Sequence, residues 1–191
     1  RHGLTGQTIV LPWEDREKYE ALRTGLMDDL QPKGAYEEQL VQTIVDASWK
    51  LNRAVAAEAN MFAHYLHERE GFILTGNEEI DTAMTIGHVY RTETAMLAGM
   101  ALCCQRIERL RRNARVELET LQAARKTREA EEMGDAAELR KAVATKGVPY
   151  NPAEDGFVFS VAEIDTYIRR MERREEAGMR FTRPLLRLTA A

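Results

Sequence analysis

Apolar residues recur every three or four positions across residues 77–132, and no proline interrupts this stretch. The strongest turn signal after it is the pair Gly134-Asp135. Ordinary globular helices have about 8–20 residues, so this pattern predicts a long, coiled-coil-like helix over residues 78–132. The inward positions of that helix are expected to be Ile80, Met84, Tyr90, Leu97, Met100, Cys103, Ile107, Leu110, Ala114, Leu118 and Leu121.

A second periodic stretch predicts another long helix over residues 35–70, with Gly71 as its C-cap. Its inward positions are expected to be Leu40, Ile44, Ala47, Leu51, Ala54, Val55, Met61, Tyr65 and Leu66. The apolar loop 72–76 is short, which favours antiparallel neighbours. The predicted fold class is therefore all-α, a long antiparallel helical hairpin with short flanking helices. The second helix is expected to leave the stripe beyond Ile107 uncovered, which implies another segment or another copy of the chain as its cover.

The flanks carry weaker signals and suggest three parts: residues 1–34, 35–133 and 134–191. The first part is expected to be an extended segment followed by an acidic helix after Pro12, with Trp13 and Tyr19 among its inward residues. The third part begins with a turn-rich linker. Residues 157–159 read as a short strand or an apolar plug, and Ser160 with Glu163 predicts a capping box at the start of a last helix.

Composition supports a helical scaffold with separated charges. Of the 191 residues, 44% are hydrophobic, 30% are charged and only 7% are aromatic, a mixture typical of long helices. The net charge of −4 conceals a contrast between residues 10–46, which carry nine acidic and four basic side chains, and residues 105–128, which carry three and eight. Such separation suggests head-to-tail self-association or a basic arm for a polyanion, and a merely solvated helix face is the alternative.

Sequence features bearing on location predict a cytoplasmic protein. Cys103 and Cys104 are adjacent on a predicted helix, where their side chains diverge, and there is no cysteine framework. We see no signal peptide and no apolar run near the roughly 20 residues that a membrane span needs. The chain begins at Arg1 rather than methionine, so further residues are expected upstream.

Candidate catalytic and metal-binding residues do not form a recognised pattern. His64 and His67 share a helix face beside Glu68, but the repeated Glu-x-x-His units of a di-iron bundle are missing. Ser48 and Ser160 lack a nucleophile elbow, and no phosphate-binding loop or dinucleotide fingerprint occurs. We therefore expect no enzyme activity, no metal and no cofactor.

Basic residues cluster in the second half of the long predicted helix, and they are the candidate nucleic-acid contacts. Spaced guanidinium groups can follow phosphates along a groove and release counterions. Three interleaved glutamates and the lack of a known DNA-binding motif weigh against this interpretation. The candidate residues are Arg106, Arg109, Arg111, Arg112, Arg115, Arg125, Lys126 and Arg128.

The N-terminal residues Arg1-His2-Gly3-Leu4-Thr5, followed by Val10-Leu11-Pro12-Trp13-Glu14-Asp15, resemble a signature of uncharacterised bacterial proteins, "NALKHGLT" and then "VVLPxED". Leu51-Asn52-Arg53-Ala54 and Tyr90-Arg91-Thr92-Glu93 resemble helical segments of the same group. The resemblance implies a basic, flexible tail upstream of Arg1, and it names no activity. A shorter form of the tail motif also occurs in phage and mobile-element proteins, including small terminase-like ones.

Together these observations predict a non-enzymatic accessory protein that associates with nucleic acid through its basic helical arm and the implied N-terminal tail. The alternative is a scaffold protein that self-assembles, or docks onto a larger complex, through its long helices. A homo-oligomer or a larger assembly is expected under both hypotheses.

Overall fold

The computed structural model describes residues 9–67 and 75–178, and these residues contain five α-helices and no β-strand. The helices are α1 (Arg16–Leu30), α2 (Ala35–His67), α3 (Glu78–Thr92), α4 (Thr94–Ala144) and α5 (Val161–Glu176), with one 3₁₀ turn at Pro152–Asp155. The chain forms two compact units, Arg1–Leu121 and Gln122–Ala191, and each is described by itself.

Helix α2 packs antiparallel to α3 and the first half of α4. Near its start, the Tyr36 hydroxyl donates to the Glu117 carboxylate, and this bond raises the pKa of the tyrosine. Near its end, Phe62 lies 5.5 Å from Tyr90 between ring centroids. Partner positions thus move backwards along the chain as α2 advances. The predicted all-α helical hairpin is confirmed.

The core of the first unit lies where α1, α2 and α4 meet. Val41 and Val45 of α2 are fully buried, and they belong to the same cluster as Ala114 and Leu118 of α4. The prediction that the stripe beyond Ile107 lacks a cover within its own hairpin is therefore wrong at these positions. The N-terminal half of α2 covers them, because the hairpin is long enough to reach its opposite end.

Helix α1 attaches to α2 through one buried tyrosine and a polar network. Asp15 caps the helix by accepting from the Lys18 amide, and Gln31 ends it in the left-handed conformation. Tyr19 is buried and donates to Asp46 at 2.7 Å, and its burial and this bond raise its pKa to about 12. Trp13 is 79% exposed, so its predicted inward position is wrong.

The segment before α1 is fixed to α2 by a carboxylate that accepts four hydrogen bonds. The Arg53 guanidinium donates to both oxygens of Glu14, at 2.6 and 2.8 Å. The amide of Leu11 and the indole of Trp49 donate to the same carboxylate, at 2.8 and 3.0 Å. Together these donors lower the pKa of Glu14 to about 2, the Arg53 hydrogen bond contributing most.

The long predicted helix is divided at Glu93, where α3 ends and α4 begins. Thr92 and Thr94 both turn their hydroxyls back to carbonyls one turn earlier, an interaction that bends helices. The Tyr65 hydroxyl of α2 donates to the Glu93 side chain at this bend. The prediction of one uninterrupted helix over residues 78–132 is therefore wrong at Glu93.

The second unit pairs the end of α4 with α5. The predicted turn at Gly134 is wrong, because α4 continues through it to Ala144. Ala136 and Ala137 pack against Ile164 of α5, and these contacts outweigh the roughly 1 kcal/mol that an interior glycine costs a helix. Phe157 and Phe159 pack on the same cluster, which makes residues 157–159 an apolar plug rather than a strand.

Two further sequence predictions are settled by the second unit and the loop. The Ser160–Glu163 capping box is present at the start of α5, which confirms that prediction. Gly71 and residues 72–74 of the predicted loop lie outside the described residues.

Helix α3 turns its polar side toward α2, opposite to the prediction. Asp81 and Thr85 are 7% and 1% exposed, whereas Ile80 and Met84 are each about half exposed. Asp81 is held by the amide and hydroxyl of Thr75, each at 2.8 Å. The predicted inward positions Tyr90, Cys103, Leu110 and Val55 are likewise exposed.

Candidate nucleic-acid interface on α4

All eight candidate basic residues lie on α4, and the structure separates them into two groups. Five belong to the first unit and three to the second. Some have a carboxylate partner on the same helix and others have none. This division decides which of them can meet a polyanion.

Three of the arginines are paired along the helix. Arg111 lies 2.8 Å from Glu108, Arg115 lies 3.1 Å from Glu119, and Arg125 lies 3.5 Å from Glu129. Arg125 is also largely buried, with 16% of its side chain exposed. Such surface pairs contribute about 0.3–0.5 kcal/mol, so pairing costs little to break, but each carboxylate cancels the local positive charge.

Arg106, Arg109 and Arg112 form the arginine triplet, and all three are exposed. No carboxylate of the described residues makes an ion pair with any member. Successive members are three residues apart, so each is about 4.5 Å further along the axis and about 60° around it. The triplet therefore extends about 9 Å, the length over which one B-DNA strand presents two or three phosphates.

The surface around the triplet is mixed. Arg109 and Arg112 border a shallow groove between α2 and α4, which is also lined by Leu51, Cys104, Gln105 and Glu108. Leu102 and Val116 are each 56% exposed, seven residues on either side of Arg109. At 100° per residue these two side chains share the outward face with Arg109. Both charge and apolar surface are therefore offered to a partner.

Lys126 and Arg128 are exposed on the part of α4 that belongs to the second unit. No ion pair to a carboxylate is formed by either of them within the described part of the chain. They are a separate pair of available cations, and the structure does not join them to the arginine triplet in one surface.

The other candidate chemistry stays scattered. His64 lies next to Tyr65, whose ring centroid is 6.3 Å from that of His88. Residues 9–67 and 75–178 contain no group of three or more His, Cys, Asp or Glu side chains placed to hold a metal ion. Cys103 is exposed and Cys104 half-buried, and both are free thiols. None of the described helices has an apolar stretch long enough to cross a membrane.

Sequence spacing alone could have identified the paired arginines. Glu108–Arg111, Arg115–Glu119 and Arg125–Glu129 are all three or four residues apart, the separation at which helical side chains meet. Comparison with known proteins adds no constraint: no protein family, curated protein or solved structure matches this chain.

Proposed function

We propose that this protein is a non-enzymatic accessory protein that binds nucleic acid through the arginine triplet of α4. The observation that carries the proposal is the exposure of three consecutive-turn arginines without carboxylate partners among the described residues. An unpaired guanidinium can form bidentate hydrogen bonds to a phosphate without first breaking an ion pair. Lys126 and Arg128 are secondary contacts, and the basic N-terminal tail implied by the resemblance remains a prediction.

The expected contact is with the sugar-phosphate backbone. The triplet has no aromatic side chain within it on which bases could stack, and its arginines fit phosphates at the spacing given above. Three phosphates neutralised by one helix support weak, sequence-independent binding of the kind found at about 10⁻⁴–10⁻⁶ M. An accessory role that adds affinity within a larger complex fits this strength.

The proposal is tested by fluorescence anisotropy with labelled duplex DNA, single-stranded DNA and RNA at low salt. The test variant carries Arg106→Gln, Arg109→Gln and Arg112→Gln. Its matched control carries Arg111→Gln, Arg115→Gln and Arg125→Gln, which removes the same charge from the same helix but only at paired positions. Circular dichroism and thermal unfolding establish that both variants are folded.

We expect the test variant to lose most of its binding and the control to keep most of it. Equal losses in both variants would show that net charge alone drives binding and would contradict the assignment to the triplet. A wild-type protein that binds none of the three probes at low salt would overturn the proposed function itself.

The second candidate function is a scaffold that docks through its helices. It is favoured by exposed apolar side chains on α3 and α4, among them Ile80, Met84, Leu102 and Val116. Nucleic-acid binding does not call for such surface, whereas a protein interface does. In a scaffold the arginine triplet would contact a protein partner, so the test variant would change assembly and leave the anisotropy measurements without signal.

A further inference from the structure

The outer face of α3 is apolar over three turns. With Thr85 buried against α2, a rotation of 100° per residue places Ile80, Ala83, Gly87 and Tyr90 on the opposite side of the helix. Ile80 is 48% and Tyr90 55% exposed, and Ala83 and Gly87 are exposed as well. Met84 and Ile86, at 49% and 37%, border this stripe on its two sides. These six residues are the α3 face.

The polarity of α3 is inverted for a helix that packs only within its own hairpin. Asp81 and Thr85 occupy the side that α2 covers, while the larger apolar side chains face out. A helix normally buries its apolar stripe, since burial of that surface is the main source of helix stability in a folded protein. The inversion indicates that another surface covers the α3 face.

Gly87 has no explanation inside the chain. It lies in the middle of α3, where glycine is unfavourable, and a Cβ built on it would meet no atom within 4 Å. Its backbone needs no positive φ. A glycine of this kind is accounted for when a second backbone approaches closely, and Ala83, one turn earlier, is also small.

The sequence of α3 is complementary to itself when reversed about Thr85. Ile80 then faces the Tyr90 position, Ala83 faces Gly87, and Met84 faces Ile86. At the ends, the exposed Glu79 faces the exposed Arg91, so opposite charges meet at both rims. Between these rims Asp81 is the one Asp, Glu, Lys or Arg of the helix, and it is buried. Two copies in this register bring no like charges together.

We propose that a second copy of this chain packs its α3 antiparallel on the α3 face, with the twofold axis level with Thr85. The small residues Ala83 and Gly87 lie at the centre and allow close approach, and the large side chains pack on either side. The two hairpins then form a four-helix arrangement in which the apolar stripe of each α3 becomes part of a shared core.

The size of the face sets the strength of this contact. Helix α3 has 15 residues, a length of about 22 Å, and the α3 face involves little more than this one helix. That is less than the roughly 800 Å² per partner of a standard stable interface, so the dimer is expected to be weak and concentration-dependent. Dissociation in the micromolar range, rather than an obligate dimer, follows from this area.

The test is sedimentation velocity on the full chain over about 5–500 μM, a range that brackets micromolar dissociation. Glu79→Arg places two like-charged pairs at the rims and is expected to weaken the dimer at least about tenfold. Combining Glu79→Arg with Arg91→Glu restores opposite charges and is expected to restore the dimer. Gly87→Leu blocks close approach, and Gly99→Leu is its matched control, because Gly99 is an equally unhindered helical glycine outside the α3 face.

The proposal is overturned if the wild-type protein stays monomeric throughout the range. It is also overturned if Glu79→Arg has no effect, if the double exchange does not recover self-association, or if both glycine variants behave alike. Gly87→Leu should raise helix stability in the monomer, so lost self-association in a well-folded protein separates interface disruption from misfolding. None of these readouts involves nucleic acid, so the result is independent of the proposed function.

Discussion

Replacement of Glu14 by Gln tests how the N-terminal segment is held to α2. The carboxylate accepts two hydrogen bonds from Arg53 and one each from Leu11 and Trp49, and its pKa falls from 4.5 to about 2. Converted directly, that change corresponds to about 3.4 kcal/mol of preference for the charged form. Because 32% of the Arg53 side chain is exposed, solvent screens part of the interaction, and we expect a loss of about 1–2 kcal/mol.

The pH dependence gives this prediction its sign. The folded-state pKa of Glu14 lies below its unfolded value, so the ionised carboxylate stabilises the fold above about pH 4.5. That contribution is lost as the pH falls from about 4.5 toward about 2. Glu14→Gln should therefore unfold at lower urea concentration than wild type at pH 7, and the difference should shrink over this acid range.

The matched control is Glu17→Gln, which removes the same charge from an exposed position three residues away. We expect its free energy of unfolding to change by less than about 0.5 kcal/mol, as for most surface substitutions. Equal stability of Glu14→Gln and wild type at pH 7 would refute the reasoning, and so would a stability difference that stays constant down to pH 2.

Three further substitutions test the fold by urea or thermal unfolding. Leu118→Ala, at a 1% exposed site, should cost about 2–4 kcal/mol, whereas Leu110→Ala, at a 53% exposed site, should cost less than about 0.5 kcal/mol; similar costs would contradict the observed facing of α4. Gly134→Ala should stabilise the protein by about 0.5–1 kcal/mol, because the site is helical and open, and destabilisation would instead favour a turn there. Ser160→Ala should cost about 1 kcal/mol by removing the hydrogen bond to the Glu163 amide, and an unchanged midpoint would argue against the capping box.

Periodicity predicted the helices and their antiparallel pairing because both depend on local pattern and loop length. It failed at Gly134, where a glycine that favours a turn is overruled by packing of Ala136 and Ala137 on Ile164. It also failed at Glu93, where the bend depends on hydroxyl back-bonding that the apolar pattern does not record. Tertiary contacts decided both positions.

The facing of α3 could not be predicted from apolar spacing alone. Ile80 and Met84 fit an inward stripe, yet the buried positions are Asp81 and Thr85, because Asp81 satisfies the amide and hydroxyl of Thr75 at the start of the helix. The candidate basic residues were all identified from sequence. Their division into paired and unpaired groups needed side-chain positions, although the spacing of Glu108 and Arg111 already indicates one pair.

The most direct test of the nucleic-acid proposal is the salt dependence of duplex DNA binding by wild type and by the variant lacking Arg106, Arg109 and Arg112. If each arginine neutralises one phosphate, the slope of log K against log salt should be smaller in the variant by about 2.7, from about 0.9 per contact. Arg111, Arg115 and Arg125, replaced together, should change that slope far less. Identical slopes for wild type and the triplet variant would show that these arginines do not contact phosphates, and would contradict the account.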